Sequence, residues 1–291
     1  EQNEPELWKQ VSKFLLLSGY HNYKLTGEYK DSIASTVGFV PFDYKTQQWA
    51  EKNDWKWRAI PITRDMLPEV LPAGSKLGKI TATAAIETGI PEGLTLIASG
   101  SDKACEVLGT GCTDSHTGSL SYGSLATINI ASDKYLEAIP FYPAYPGVVP
   151  GTFNVEMMVQ RGYWMVSWFK QEFGLHETQK STEQKVSPES LFDQLLAEVP
   201  AGSDGLMLQP YWSPSNGDGP ETRGAIIGFT ESHTRAHLYR AMIEGLTYAL
   251  RESKELLEKR SGKSITRLVG SGGGTKSDQS IQINANNVGM P

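Results

Sequence analysis

Three short runs hold the residues whose types and spacing could do chemistry. The run Val269-Gly-Ser-Gly-Gly-Gly-Thr-Lys-Ser277 places Gly272, Gly273 and Gly274 between an apolar stretch (Leu268, Val269) and a segment of helical pattern, Ser277 to Asn287. Glycine admits positive φ and close backbone approach, and a following helix N-terminus adds partial positive charge, so the run reads as an anion or nucleotide turn. Glycine clusters are more often plain turns. Leu120-Ser-Tyr-Gly-Ser-Leu125 offers Gly123 and Ser124 as a second phosphate turn, and a simple hairpin turn explains it equally well. Asp102, in Gly100-Ser-Asp102, stands where an apolar strand pattern ends and a helix begins. A carboxylate there can take a proton from a hydroxyl. Aspartate is also a good helix N-cap, and spacing alone favours that plainer reading.

Other residues carry weaker signals. Arg223 follows a loop with Asp218 and Glu221, where a surface ion pair is commoner than a phosphate contact. Trp212 lies in a polar loop, and exposed aromatics sometimes stack on ligands. His233 and His237 are four apart without the intervening glutamate of the zinc-protease pattern, and read as flanking a helix start. Cys105 and Cys112 have no metal-ligand partners at suitable spacing and read as reduced thiols. No metal ligand set is expected from the sequence.

The elements that must position these residues follow from periodicity and turn signals. Helices are expected over 5–17, 63–71, 80–88, 103–109, 155–173, 188–199 and 233–260, the last the strongest. Strands are expected over 94–98 and 206–208, and one or two over 119–130 around Gly123. Segments 135–151, 180–185 and 212–222 read as loops. The apolar residues Met157, Met158, Trp164, Met165, Trp168 and Phe169 suit a buried core. This order is α/β or α+β, with a boundary near 112–118 and no internal repeat.

With 291 residues, 39% hydrophobic and 21% charged, the chain suits a globular protein of one large or two smaller domains. A net charge of −6 without a basic stripe argues against a nucleic-acid partner. No apolar run reaches membrane-spanning length, so no membrane partner and a cytoplasmic location are expected.

In order along the chain, these segments resemble the FGGY carbohydrate kinases, which include xylulokinases and glycerol kinases. Asn3-Glu-Pro-Glu-Leu-Trp8, Phe14-Leu-Leu-Leu17 and Tyr23-Lys-Leu-Thr-Gly-Glu28 are similar to the family segment before its mid-chain substrate region. Gly100-Ser-Asp102 with Leu108-Gly-Thr-Gly111 resembles the catalytic-aspartate motif, and Ser121-Tyr-Gly-Ser124 the second phosphate loop. Arg223-Gly-Ala-Ile-Ile-Gly-Phe229 through His237-Leu-Tyr-Arg-Ala-Met-Ile-Glu244 is similar to the C-terminal signature, and 270–276 to the adenosine motif.

The resemblance implies an α/β, actin/hexokinase-type (ribonuclease H-like) two-domain ATPase fold. Residues 1–113 would be the later part of the first, sugar-binding domain, and 114–291 most of the second, ATP-binding domain. It implies ATP-dependent phosphorylation of a sugar, ketose or polyol hydroxyl, with Asp102 as general base. Gly123 and Ser124 would approach the ATP phosphates, Gly272, Gly273 and Gly274 would lie beside the nucleotide, and Ser277 near adenine. Mg²⁺ is expected with ATP, and a homodimer is among the expectations.

Three departures stand out. Leu125 replaces a usual small residue, Phe229 is bulkier than the usual aliphatic, and Lys103 follows the aspartate where an amide is common and could pair with Asp102. A first phosphate loop of Asp-Gly-Thr type does not precede Glu1, so an incomplete kinase, inactive by itself, is expected. The alternative is a non-catalytic nucleotide-binding module of the same fold, acting as regulator or scaffold. A dinucleotide-binding enzyme is disfavoured, because no acidic residue follows the glycine run by about 20 positions.

Overall fold

The computed structural model describes residues 2–213 and 219–290. The chain forms two compact units. One comprises 1–111 with 131–136 and 143–154; the other comprises 112–130, 137–142 and 155–291.

In the first unit, helix α1 (Leu17–Thr26) precedes strand β1 (Lys30–Ser32), which pairs in parallel with β2 (Glu69–Leu71). Strand β3 (Lys76–Lys79) pairs antiparallel with β4 (Thr95–Ile97), and α2 (Ala82–Thr88) lies between them in sequence. Thr81 caps α2, its hydroxyl accepting the Ala84 N–H at 3.2 Å, and Gly89 closes it with φ 76°. Strand β4 leads into α3 (Asp102–Gly109). The core gathers Ile33, Phe39, Phe42, Trp49, Ile62 and Leu67.

Two expected helices of this unit are not formed as expected. The segment 5–17 gives only the single turn Pro5–Trp8, and the longer helix α1 starts at Leu17. Its apolar residues Trp8, Phe14 and Leu16 are drawn individually onto the aromatic core instead of forming one helical face. The segment 63–71 is a 3₁₀ turn, Arg64–Met66, followed by β2. Pairing with β1 claims the backbone that a helix would have used.

In the second unit, β5 (Thr117–Tyr122) and β6 (Ala126–Ser132) form a hairpin around Gly123. Strand β7 (Phe153–Val159) lies beside β6. Helices α4 (Trp164–Phe173), α5 (Leu175–Gln184), α6 (Pro188–Glu198) and α7 (Arg235–Ser261) follow, then β8 (Arg267–Ser271) and α8 (Asp278–Val288). Strand β8 pairs in parallel with β5, from Arg267↔Thr117 to Ser271↔Ser121, giving the order β8-β5-β6-β7. The strands Met207–Gln209 and Ala225–Ile227 pair separately. Ile128, Ile130, Met165, Phe169, Phe192 and Met242 are fully buried.

The expected helix over 155–173 is a strand followed by a helix. The strand buries Val155, Met157 and Val159 at alternate positions. A turn at 160–163 then separates the two, with Arg161 at φ 67°. A Cβ on Gly162 would fall 2.1 Å from the Ala126 nitrogen, so the turn packs directly on the hairpin backbone. Residues 180–184 of the expected loop 180–185 belong to α5, whose inward side buries Glu177 and Ser181. The expected loop 212–222 lies partly outside the described residues. Helix α7 begins with a capping box between Thr234 and His237 and ends at Gly262 with φ 66°. No described helix is long and apolar enough to cross a membrane.

Candidate functional site

Parallel pairing decides where the two glycine motifs meet. Because β8 runs alongside β5 in the same direction, Ser271 ends opposite Ser121, and both chains leave the sheet at the same end. The turn Gly123-Ser124 and the run Gly272-Gly274 are thereby brought together across some 150 residues of sequence, the offset of the Arg267↔Thr117 register.

Both motifs border one cavity of about 460 Å³. Gly123, Ser124, Gly273, Gly274 and Ser277 line it, with Tyr122, Tyr163 and Tyr239 as its aromatic walls. Gly272 is set back against the sheet: its φ is 89°, and a Cβ there would come within 3.2 Å of the Tyr122 carbonyl. A Cβ on Gly274 would lie 2.7 Å from the Tyr122 Cβ and 3.0 Å from the Tyr163 ring. A Cβ on Gly273 would meet nothing within 4 Å. Gly274 is therefore required by packing, and Gly273 keeps open the space beside it. The 123–124 turn is also a hairpin turn, so the plainer reading of those residues holds as well.

Tyr163 links the parts. Its backbone N–H donates to the Gly123 carbonyl at 3.1 Å, and the next N–H, of Trp164, to the Ser124 carbonyl at 3.4 Å. Its ring meets Tyr122 edge-on at 5.1 Å. Its phenol accepts the Asn284 side-chain amide at 3.0 Å and lies 3.3 Å from the Ser280 hydroxyl. Burial pushes the phenol's pKa upward, so it stays neutral and acts as a hydrogen-bonding group. Helix α8 starts from Ser277, whose hydroxyl accepts the Ser280 N–H at 3.0 Å and donates to Asp193 Oδ1 at 2.5 Å. Burial raises the pKa of Asp193, partly offset by the Ser277 hydrogen bond.

Asp102 lies in the other unit, in the first turn of α3 and exposed. Ser101 caps that helix, its hydroxyl accepting the Ala104 N–H at 3.2 Å. The capping role assigned to Asp102 on spacing is thus filled by its neighbour, and the Asp102 carboxylate accepts the Lys103 N–H at 2.7 Å. The Lys103 ammonium pairs with Glu106, not with Asp102. The strand-to-helix junction is anchored from β1 and the 3₁₀ turn after it: the Ser32 hydroxyl donates to the Ser99 carbonyl, and the Ser101 N–H donates to the Ala34 carbonyl at 2.9 Å.

The weaker candidates find structural roles. Arg223 donates to the Pro220 and Thr222 carbonyls of its own loop. Trp212 packs edge-on against Trp168 at 4.4 Å. His237 accepts the Thr234 N–H through Nδ1 and lies 3.1 Å from Asp204. Neither cysteine forms a disulfide, and Cys112 is buried. Among the described residues no group of three or more His, Cys, Asp or Glu is placed to hold a metal ion.

Sequence reasoning missed Asp193, Tyr163 and Asn284. Asp193 and Asn284 sit on helices where their types fit an ordinary amphipathic pattern, and Tyr163 closes the turn before α4; only the tertiary arrangement brings Asp193 and Tyr163 to the cavity and Asn284 to the Tyr163 phenol. The one signal nearby was Ser277 at the start of the expected helical segment, and it does not say what its hydroxyl bonds.

Comparison with known proteins bears on the family and the fold. Residues 1–109 match the N-terminal domain, and 118–291 the C-terminal domain, of the FGGY family of carbohydrate kinases. An uncharacterized sugar kinase of Escherichia coli (strain K12) is 32% identical over 276 residues, covering 94% of this chain and 56% of that protein. A xylulose kinase of Lactococcus lactis is 28% identical, covering 98% of this chain and 55% of that protein. The crystal structure of xylulose kinase from Rhodospirillum rubrum superposes with a TM-score of 0.85 at 26% identity, covering 100% of this chain and 57% of that one. The Plasmodium falciparum glycerol kinase structure with ADP gives 0.80 at 19% identity, a likeness of fold. The chain thus spans a little over half the length of these relatives. Its fold is the α/β fold of actin/hexokinase type, and with both family domains matched, the chain belongs to the FGGY family of carbohydrate kinases.

Proposed function

We propose that the whole protein transfers a phosphoryl group from ATP to a hydroxyl of a sugar or polyol, with a ketose of the xylulose type as the first substrate to test. The observation that carries this reading is the single cavity bordered by both glycine-bearing strand ends. The first choice of substrate rests on relatives that are xylulose kinases.

In this reading 1–113 serves the acceptor and 114–291 the nucleotide. Gly123 and Ser124 approach the phosphates, and Gly272, Gly273 and Gly274 form the wall beside the nucleotide. Gly273 fits that role because it borders the cavity and a Cβ there meets open space. Ser277 stands near the adenine. ATP, when bound, supplies the phosphoryl group and the leaving group. Mg²⁺ is expected to enter with the nucleotide and to be held largely by phosphate oxygens and water, as this ion commonly is.

Asp102 acts as general base. Its exposed carboxylate takes the proton from the acceptor hydroxyl as the new O–P bond forms and the bond to ADP breaks. The Ser101 cap and the anchors from Ser32 and Ala34 hold this carboxylate at the helix start.

The test is ADP release by the whole protein with ATP, Mg²⁺ and a panel of ketoses, aldoses, polyols and sugar acids. Turnover with at least one sugar, lost in Asp102→Asn while ATP still binds, is the expected result. ATP binding without turnover on any member of the panel would instead identify a non-catalytic nucleotide-binding module.

A further inference from the structure

Two carboxylates line the nucleotide cavity, Glu189 and Asp193, and their situations differ. Glu189 is engaged by the Lys170 ammonium at 2.6 Å. Asp193 pairs with no cation among the described residues. One of its oxygens, Oδ1, accepts the Ser277 hydroxyl at 2.5 Å, and this contact ties α6 to the start of α8. A carboxylate has room for about four hydrogen bonds on its two oxygens. The structure gives the other oxygen no partner, although Asp193 is half-buried and borders the cavity. Burial raises its pKa, as expected for a carboxylate short of donors.

The surroundings say what kind of donor would suit it. The cavity that Asp193 borders is lined largely by hydroxyls and rings, among them Ser187, Ser190, Ser277, Ser280, Tyr163 and Tyr239, with Lys276 as the lysine of the same lining. Hydroxyls can both accept and donate, and the rings offer flat apolar surface. That is a surface for a nucleoside, whose donors are ribose hydroxyls and the exocyclic amine of the base. A phosphate group would meet repulsion from the carboxylate.

Resting on the proposed nucleotide site, we infer that Asp193 recognises the nucleoside half of ATP, its free carboxylate oxygen accepting a hydrogen bond from a ribose hydroxyl or the adenine 6-amino group. Asp193 is then both a positioning residue for Ser277 and a direct ligand contact. Charge-assisted hydrogen bonds are the stronger kind, so this contact weighs on affinity more than a neutral one would.

The test is calorimetric titration of the whole protein with ATP, 2′-deoxyATP, 3′-deoxyATP and inosine triphosphate, for wild type, Asp193→Asn, Asp193→Ala and Ser277→Ala. Wild type is expected to bind ATP about tenfold or more tightly than Asp193→Ala does. At least one analogue lacking the relevant donor should bind wild type with that same deficit, and should lose little further on Asp193→Ala. A deficit with a deoxy analogue assigns the ribose, and one with inosine triphosphate assigns the base. In the latter case Asp193→Asn should bind inosine triphosphate better than wild type does, since its amide can donate to the 6-oxo group. An unchanged ATP affinity in Asp193→Ala would overturn the inference. So would an equal loss for ATP and every analogue, reproduced by Ser277→Ala, because that pattern belongs to a residue that only holds the cap. Wild-type protein that binds none of these nucleotides would sink the nucleotide-site reading itself, and this inference with it.

Discussion

The side-chain amide of Asn284 donates to the phenol of Tyr163 at 3.0 Å, and through this contact α8 is tied to the turn that supports the hairpin. The same amide nitrogen donates to the Ser280 carbonyl at 2.7 Å, while Asn284 Oδ1 accepts the Thr247 hydroxyl at 3.0 Å. Every polar atom of the Asn284 side chain is therefore used, deep in the unit. Tyr163→Phe removes the phenol and leaves one buried N–H unpaired. The expected cost is about 1–3 kcal/mol, read as a lower denaturant midpoint with little change in slope.

Gly273 and Gly274 are adjacent and should respond oppositely. Gly274→Ala forces a methyl against Tyr122 and Tyr163, an overpacking expected to cost about 1–3 kcal/mol in stability. Gly273→Ala meets no protein atom within 4 Å, so its stability should stay within about 0.5 kcal/mol. Because Gly273 borders the cavity, the proposed nucleotide reading expects this variant to weaken ATP binding. Thermal melts and calorimetry on the two variants separate these outcomes.

Asp102 and Ser101 should also divide chemistry from stability. Ser101→Ala removes the helix cap and is expected to cost about 1 kcal/mol, with phosphoryl transfer largely kept. Asp102→Asn keeps that cap and should lower kcat by about 10²–10⁴-fold, with ATP affinity unchanged. Steady-state kinetics beside a melting curve checks both.

Glu177 and Arg235 form a two-pronged ion pair, both contacts at 2.6 Å, with Glu177 buried. The Arg235 hydrogen bonds hold the Glu177 carboxyl below its ordinary value of 4.5, against the opposing effect of burial. A folded-state pKa below the unfolded one contributes stability that is full above about pH 4.5 and is lost as pH falls through the lowered value. Glu177→Gln should flatten this part of the stability profile. Arg235→Ala, which strands the carboxylate, should cost about 2 kcal/mol at neutral pH. Denaturation midpoints between pH 3 and 7 test both.

The residues legible in the sequence were those marked by turn chemistry. Gly123, the 272–274 glycines and the Gly100-Ser-Asp102 junction all lie at strand ends, where local geometry demands particular residue types. The helix over 188–199 was equally legible, because Ser187 caps it and Pro188 opens it. The segment 155–173 was not. Its spaced apolar residues satisfy strand and helix patterns alike, and its break at 160–163 depends on Gly162 touching a hairpin some 35 residues earlier. Asp193 was hidden for a different reason. A carboxylate on an amphipathic helix reads as a solvated face until Ser277, 84 residues later, is brought beside it.

The parallel register of β8 on β5 also bears on synthesis. Thr117 and Arg267 are partners although they stand 150 positions apart in the chain. At about 5–20 residues per second, a ribosome needs roughly 10–30 s to make that span. The β5–β6 hairpin can form early, but the edge of β5 that β8 covers must wait. An open strand edge is a template for unwanted pairing, so until β8 is made this edge of β5 is a hazard to the nascent chain. In the proposed reading nucleotide binding needs both strand ends, and it would then report that this last strand has docked.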